Sequence, residues 1–159
     1  MPELPEVQTL VDNLNNLKIV GCRITGAKVY WPRTIADMTP AVFCKNIKGR
    51  TIQQITRRGK YIVIELSQNL TLLIHLRMTG HLNWEPRGNS RNRHEHVILE
   101  VNRNKELRFQ DTRKFGRFFL TGNSGTILGK LGPEPLAEGF TRIVPEFPVR
   151  KKRPNLRVS

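Results

Sequence analysis

Residues 51–76 read TIQQITRRGKYIVIELSQNLTLLIHL and carry the strongest structural signal in the chain. β-branched and aliphatic residues dominate three runs within them, at 51–56, 61–66 and 70–76. A basic segment containing Gly59 separates the first two runs, and Ser67-Gln68-Asn69 separates the last two. Short runs of this kind, bounded by turn residues, are typical of antiparallel strands joined by hairpins. We therefore predict three consecutive strands here.

The same pattern continues on both sides of this stretch. Further candidate strands occupy residues 23–30, 96–101, 106–109 and 117–120. Apolar residues at three- and four-residue spacing predict an amphipathic helix over 4–17, with Gly21 ending the segment, and Thr39-Pro40 predicts the start of a short helix through Asn46. We predict a mainly β fold with minor α content: a two-layer antiparallel β-sandwich with an N-terminal amphipathic helix and a short second helix.

Two segments depart from this pattern. Residues 86–94, PRGNSRNRH, have no aliphatic content and predict a mobile basic loop. Beyond about Gly132 prolines accumulate, and residues 150–153 read RKKR. We expect one β-sandwich domain over residues 1–136 and a basic, proline-rich linker or tail over 137–159.

The chain is strongly basic, with 27 Lys and Arg against 13 Asp and Glu and a formal net charge of +14. Such an excess favours a polyanionic partner, because each neutralised phosphate releases condensed counterions. Ribosomal and membrane-surface proteins share this property, so charge alone indicates nucleic acid and nothing narrower. No apolar run approaches the ~20 residues of a membrane span, and the start lacks the features of a secretory signal. We expect a cytoplasmic protein with no membrane partner and with Cys22 and Cys44 reduced.

The first residues, MPELPEV, allow two interpretations. The structural one is a helix start, because acids near a helix N-terminus complement its dipole. The chemical one begins with removal of Met1, which would expose the secondary amine of Pro2 with a pKa near ~8. Such an amine can attack a sugar C1′ and form an iminium. Glu3 would protonate the ring oxygen or shuttle protons, and Glu6, one helical turn on, would orient the amine.

The triplet His94-Glu95-His96 raises the question of a metal site. Two histidines two residues apart, with one glutamate, lack the helical spacing of zinc proteases. We expect phosphate contact or packing for His94 and His96, and no metal site.

Six segments, taken together and in order, resemble one family. They are 1–7 (MPELPEV), 57–61 (RRGKY), 75–80 (HLRMTG), 94–96 (HEH), 111–116 (DTRKFG) and 131–136 (LGPEPL). The chain resembles the N-terminal, catalytic half of the formamidopyrimidine-DNA glycosylases, which are related to endonuclease VIII. The opening segment is very specific, whereas any later segment alone would be weak.

The resemblance implies a function and a partner. It implies a bacterial-type, nucleoid-associated, monomeric DNA-repair enzyme that acts on double-stranded DNA with oxidised bases or abasic sites. The expected activity is N-glycosylase with linked AP-lyase, removing 8-oxoguanine and formamidopyrimidines through an imine on the N-terminal proline. It also implies the predicted β-sandwich.

The resemblance assigns roles to individual residues. Pro2 matches the nucleophile and Glu3 the neighbouring acid. Lys60 and His75 match phosphate contacts, and we count Lys60 with the catalytic residues. The structural alternatives are a solvated lysine for Lys60 and a hydrogen-bonded histidine for His75. A further trio matches the residues inserted into the duplex at the lesion: Met78, Arg113 and Phe115. Their chemistry fits, because apolar side chains can fill the gap left by a flipped base and an arginine can hydrogen-bond the opposite cytosine. The alternative for Met78 and Phe115 is core packing.

The match departs from the family at several positions and in length. Thr112 stands where proline is usual, Lys114 where arginine is, Arg77 where glycine is and Thr79 where serine is. The family's helix–two-turn–helix element and C-terminal zinc finger have no counterpart here, so we expect no cofactor in this chain and impaired activity. The alternatives are a non-catalytic basic DNA-binding module, an inactive remnant of such an enzyme and, more distantly, a ribosomal or RNA-binding β protein.

Overall fold

The computed structural model describes residues 4–77 and 79–122. The predicted boundary at 136, the tail 137–159, Pro2, Glu3 and Met78 lie outside the described residues. The elements in chain order are α1 (Leu4–Asn16), β1 (Ile24–Val29), the 3-10 helix η1 (Pro32–Thr34), α2 (Pro40–Ile47), β2 (Ile52–Arg58), β3 (Tyr61–Leu66), β4 (Leu70–His75), β5 (His81–Pro86), β6 (Glu95–Val101), β7 (Lys105–Gln110) and β8 (Arg117–Thr121).

The three strands predicted in residues 51–76 form the centre of one sheet, ordered β2-β3-β4-β8. All pairs are antiparallel, and Tyr61 pairs with His75, which in turn pairs with Arg117. The turn between β3 and β4 places Gln68 and Asn69 at positive φ, as a tight hairpin requires. Since these residues register across three strands, the start of β3, the end of β4 and the start of β8 meet at one edge of the sheet.

The second sheet is ordered β1-β6-β7-β5 and is also antiparallel. Its edge strand β5 has no counterpart among the predicted strands. Polar residues on β5 alternate with the inward-facing Leu82 and with Trp84, and the strand pairs only with β7. No element was predicted for this segment.

The two sheets pack face to face around an aromatic centre. Phe118 of β8 contacts Phe109 of β7 edge-to-face, with ring centroids 5.1 Å apart, and Phe43 of α2 at 6.1 Å. All three side chains are buried. The predicted fold class, a two-layer antiparallel β-sandwich with two helices, is confirmed.

Helix α1 buries Val7, Val11 and Leu14 against the sheet, which is the apolar face that the spacing predicted. The helix ends at Asn16 rather than continuing to residue 17, because Lys18 takes a left-handed conformation with φ 60°. Helix α2 begins as predicted, with the Thr39 hydroxyl accepting a hydrogen bond from the Val42 amide. None of the helices in the described ranges is long and apolar enough to cross a membrane.

A buried arginine anchors the loop between β5 and β6. The guanidinium of Arg108 lies 2.6 Å from a Glu106 carboxylate oxygen and 2.9 Å from one of Glu95. It also donates to the backbone carbonyls of Asn89 at 2.7 Å and Ser90 at 3.0 Å. The segment predicted as a mobile basic loop is therefore tied at its centre to the interior of the sheet.

Candidate functional site

Four segments meet at one edge of the sandwich, which we call the loop edge: the first turn of α1, the β2–β3 turn at Gly59-Lys60, the loop 76–80 and the loop 111–116. The strand register joins the last three, because β3, β4 and β8 are neighbours. The first turn of α1 joins them because of the direction of the helix along β2. Near its start, Gln8 Oε1 accepts a hydrogen bond from Arg57 Nε, whereas near its end Asn15 donates to the Ile55 carbonyl. The N-terminal end of α1 therefore points towards the β2–β3 turn.

His75 lies at the end of β4 and is neutral at physiological pH. Burial, together with the positive charges of Arg77 and Lys60, lowers the pKa of His75 to about 4. Its Nδ1 accepts a hydrogen bond of 3.1 Å from the Arg77 backbone amide, so the ring proton resides on Nε2. The ring packs edge-to-face on Tyr61, with centroids 4.7 Å apart. His75 thus offers one fixed N–H donor beside the cationic Lys60.

Asp111 links the two loops of the loop edge. Its side chain is fully buried, and its carboxylate accepts hydrogen bonds from the Thr79 hydroxyl, the Arg113 amide at 3.1 Å and the Gly116 amide at 2.7 Å. Thr79 belongs to the loop that contains Met78, and Arg113 begins the segment that contains Phe115. Because a buried carboxylate needs several donors, these bonds hold the two loops in one arrangement.

The backbone of Asp111 also organises the histidine pair. Its amide donates to the His94 carbonyl, and its own carbonyl accepts from His96 Nε2 at 2.7 Å. His96 is buried, and burial lowers its pKa despite this bond. Of the two predictions for His96, these surroundings favour packing over phosphate contact. His94 is partly exposed and lies beside the loop edge.

Arg113 and Phe115 project from the loop edge. Phe115 is 44% exposed, which excludes the core-packing alternative for this residue. The Arg113 guanidinium carbon lies 5.1 Å from the centre of the Phe115 ring. Gly116 follows at a point where an added Cβ would collide with the Phe109 ring and reach the His75 carbonyl at 3.1 Å. This close approach fixes the base from which Phe115 extends.

Of the predicted catalytic residues, the structure describes two. Glu6 is exposed in the first turn of α1, and Lys60 is partly buried in the β2–β3 turn. Both belong to the loop edge, as do Arg113 and Phe115, and His75 is the last residue of the strand that leads into it. Within residues 4–77 and 79–122, no group of three or more His, Cys, Asp and Glu side chains is placed to hold a metal ion.

Asp111 was not predicted as a functional residue, although it begins the segment 111–116 that contributes to the family resemblance. An available signal was its position, directly after a strand and before a short loop that ends in glycine. A carboxylate there can accept the loop's free amides.

Comparison with known proteins gives a consistent result. Residues 1–118 match the model of the formamidopyrimidine-DNA glycosylase N-terminal domain. A formamidopyrimidine-DNA glycosylase of Protochlamydia amoebophila is 42% identical over 141 residues, covering 89% of this chain and 51% of that protein. One of Lactiplantibacillus plantarum is 43% identical over 145 residues, covering 89% and 52%. The chain thus spans about half the length of the curated relatives it matches.

Solved structures agree. A Lactococcus lactis Fpg (MutM) bound to DNA containing FAPY-dG aligns with a TM-score of 0.74 and 32% identity, covering 81% of this chain and 48% of that one. The same enzyme bound to DNA containing an abasic site aligns equally well, with a TM-score of 0.74.

Proposed function

The chain belongs to the formamidopyrimidine-DNA glycosylase family, and from this premise we propose that it is a monomeric DNA-repair enzyme that excises oxidised purines from duplex DNA and cleaves the resulting abasic site. The observation that carries the proposal is the loop edge. It brings Lys60, His75, Arg113 and Phe115 together with the N-terminal end of α1, directly beyond which Pro2 and Glu3 stand in the sequence.

The reaction begins at Pro2. Once Met1 is removed, its secondary amine has a pKa near ~8, so part of it is neutral and nucleophilic at pH 7. The nitrogen forms a bond to C1′ as the bond between C1′ and the damaged base breaks, and the base leaves with a proton. Glu3 protonates the sugar ring oxygen, the ring opens, and an iminium links Pro2 to C1′. Glu6 orients the amine.

The same iminium drives strand cleavage. It acidifies the C2′ proton, which the Glu3 carboxylate left by the preceding step accepts; the C–H electrons form a C2′–C3′ double bond and the 3′ phosphate leaves with its bonding electrons. A second elimination expels the 5′ phosphate, and water then releases the sugar remnant and restores the amine. The products are two phosphate-ended strands separated by a gap.

Lys60 and His75 bind a phosphate group of the DNA backbone. The ammonium of Lys60 supplies charge, and the Nε2–H of His75 supplies a directed donor that does not depend on protonation near neutral pH. Together they hold the backbone beside Pro2, and such positioning contributes much of an enzyme's rate.

The two loops joined by Asp111 stabilise the duplex with the damaged base flipped out. Met78 fills the gap left by the flipped base, Phe115 inserts beside the neighbouring base step, and Arg113 hydrogen-bonds the opposite cytosine. The exposure of Phe115 and its proximity to Arg113 support this assignment.

The test uses the full chain with three duplexes: 8-oxoguanine opposite cytosine, an abasic site, and an undamaged control. We expect release of the base from the first, measured by mass spectrometry, and cleavage on both sides of the site in the first two. Glu3→Gln should slow both steps, whereas Glu65→Gln, an exposed acid on β3, should not. Duplex binding without base release or cleavage, by folded protein shown to lack Met1, would instead identify a non-catalytic DNA-binding module.

A further inference from the structure

Two aromatic residues lie directly after the end of β1. Tyr30 is 43% exposed and Trp31 is partly exposed. The Tyr30 amide donates to the His96 carbonyl at 2.7 Å, and η1 follows immediately after Trp31. The two rings are therefore fixed by backbone structure on both sides. Neither ring takes part in the proposed reaction.

Two cations from distant loops cover these rings. The Arg91 guanidinium carbon lies 3.9 Å from the centre of the Tyr30 ring, and Lys114 Nζ lies 4.1 Å from the centre of the Trp31 ring. Arg91 comes from the β5–β6 loop and Lys114 from the β7–β8 loop. We call the four residues Tyr30, Trp31, Arg91 and Lys114 the cation–aromatic ridge.

The ridge is pre-ordered. Arg91 Nη1 donates to the Glu95 carbonyl at 2.8 Å, and the neighbouring Asn92 amide donates to the Glu95 carboxylate. Glu95 is itself held by the buried Arg108. Among the ion pairs found in residues 4–77 and 79–122, none joins Arg91 or Lys114 to a carboxylate.

The ridge is continuous with the loop edge. Lys114 stands between Arg113 and Phe115, and the Asp111 carbonyl accepts its amide at 3.3 Å. The sequence of contacts thus runs from Phe115 through Lys114 and Trp31 to Tyr30 and Arg91. A long ligand that is bound at the loop edge would therefore extend onto the cation–aromatic ridge.

The chemistry of the ridge specifies an anionic, extended occupant. Residues 123–159 carry seven Lys and Arg against three Glu, so their charge does not complement it. Cationic side chains pair with the phosphate oxygens of duplex DNA, and polar aromatic side chains such as tyrosine also contact its phosphate and sugar groups.

We propose that the cation–aromatic ridge binds the phosphodiester backbone of the duplex segment that flanks the lesion, with Arg91 and Lys114 at phosphates and Tyr30 and Trp31 against the adjoining sugars. The inference rests on the proposed function in that it takes duplex DNA as the ligand, but it requires no chemistry at Pro2.

The first test measures binding of an undamaged duplex by anisotropy at several salt concentrations. Arg91→Gln with Lys114→Gln should weaken binding and reduce the slope of log K against log salt by about 2, because two phosphate contacts are lost. The matched control is Lys18→Gln with Lys48→Gln, which removes the same charge from exposed residues at the far end of β1. Equal losses in the two double variants would overturn the proposal.

The second test reports on the ridge directly. Trp84→Phe leaves Trp31 as the single tryptophan of the chain. Adding the undamaged duplex should change the Trp31 emission, and shortening the duplex flanks should abolish the change. An emission that stays constant at saturating DNA would contradict the proposal. Because both tests use undamaged DNA, a protein that fails to excise 8-oxoguanine can still pass them, so the two proposals fail separately.

Discussion

The carboxylate of Asp111 accepts a hydrogen bond from the hydroxyl of Thr79, and this bond joins the loop that contains Met78 to the loop that contains Arg113 and Phe115. One loop connects β4 to β5 and the other connects β7 to β8, so each loop runs from one sheet to the other. Through this carboxylate, Thr79 and the backbone of Arg113 and Gly116 are held as a single unit.

Asp111→Asn should loosen this unit. An amide in place of the carboxylate would direct its own N–H₂ group at the Arg113 or Gly116 amide, leaving a buried donor unpaired. We expect a loss of about 2–4 kcal/mol in the free energy of unfolding, measured by urea denaturation. Asp37→Asn, at an exposed position, should change stability by less than about 0.5 kcal/mol. Similar values for the two variants would show that Asp111 does not organise the loops.

Phe115→Ala should separate function from stability. The exposed ring contributes little to the core, so we expect a stability change within about 0.5 kcal/mol. Excision of 8-oxoguanine should nevertheless fall, because the wedge beside the base step is lost. Phe118→Ala is the contrasting variant, since this ring is buried and its removal should cost about 3–5 kcal/mol. Normal excision by Phe115→Ala would remove this residue from the site.

His75 should make stability depend on pH in a defined direction. In the unfolded chain a histidine takes up a proton near ~6.5, whereas folded His75 stays neutral down to about pH 4. Between these values the unfolded state binds more protons, so the free energy of unfolding falls as the pH is lowered through this range. His75→Gln should give a shallower fall, with a remainder from His96. An unchanged slope would contradict the lowered pKa.

Arg108→Met should release the β5–β6 loop. The variant leaves the buried carboxylates of Glu95 and Glu106 without their cation, which should destabilise the fold by about 3–5 kcal/mol. It also frees the Asn89 and Ser90 carbonyls, so trypsin should cut faster in the 87–93 segment. Arg33→Met, at an exposed position on η1, is the control. Equal cleavage rates would mean that another contact anchors the loop.

The sequence predicted most of the fold because the strands of the β2-β3-β4-β8 sheet carry continuous apolar runs that need no partner to be recognised. It gave no strand at β5, where polar residues alternate with Leu82 and Trp84, and no sign that Arg108 within a predicted strand is buried. The partners of Arg108 lie 2 and 13 residues away, on its own strand and on β6, and only the pairing of β6 with β7 brings Glu95 to it.

The candidate site could likewise be predicted only in part. Motif resemblance predicts Lys60, His75, Arg113 and Phe115 as site residues, and strand register brings their segments to one edge. The bonds of Asp111 within its own loop have a local signal, but its bond to Thr79 depends on two loops meeting across the sandwich, which no local pattern encodes. The cation–aromatic ridge likewise pairs residues 61 and 83 positions apart in the chain, so sequence spacing gave no sign of it.

Borohydride trapping followed by peptide mapping tests the central claim most directly. The full chain, shown by mass to lack Met1, is incubated with the 8-oxoguanine and abasic duplexes, reduced and digested with trypsin. We predict a covalent adduct on peptide 2–18 with the sugar remnant on the Pro2 nitrogen, strongly reduced in Pro2→Gly and retained in Pro5→Ala. An adduct that maps to a lysine, or no adduct on either duplex from folded protein, would contradict the account.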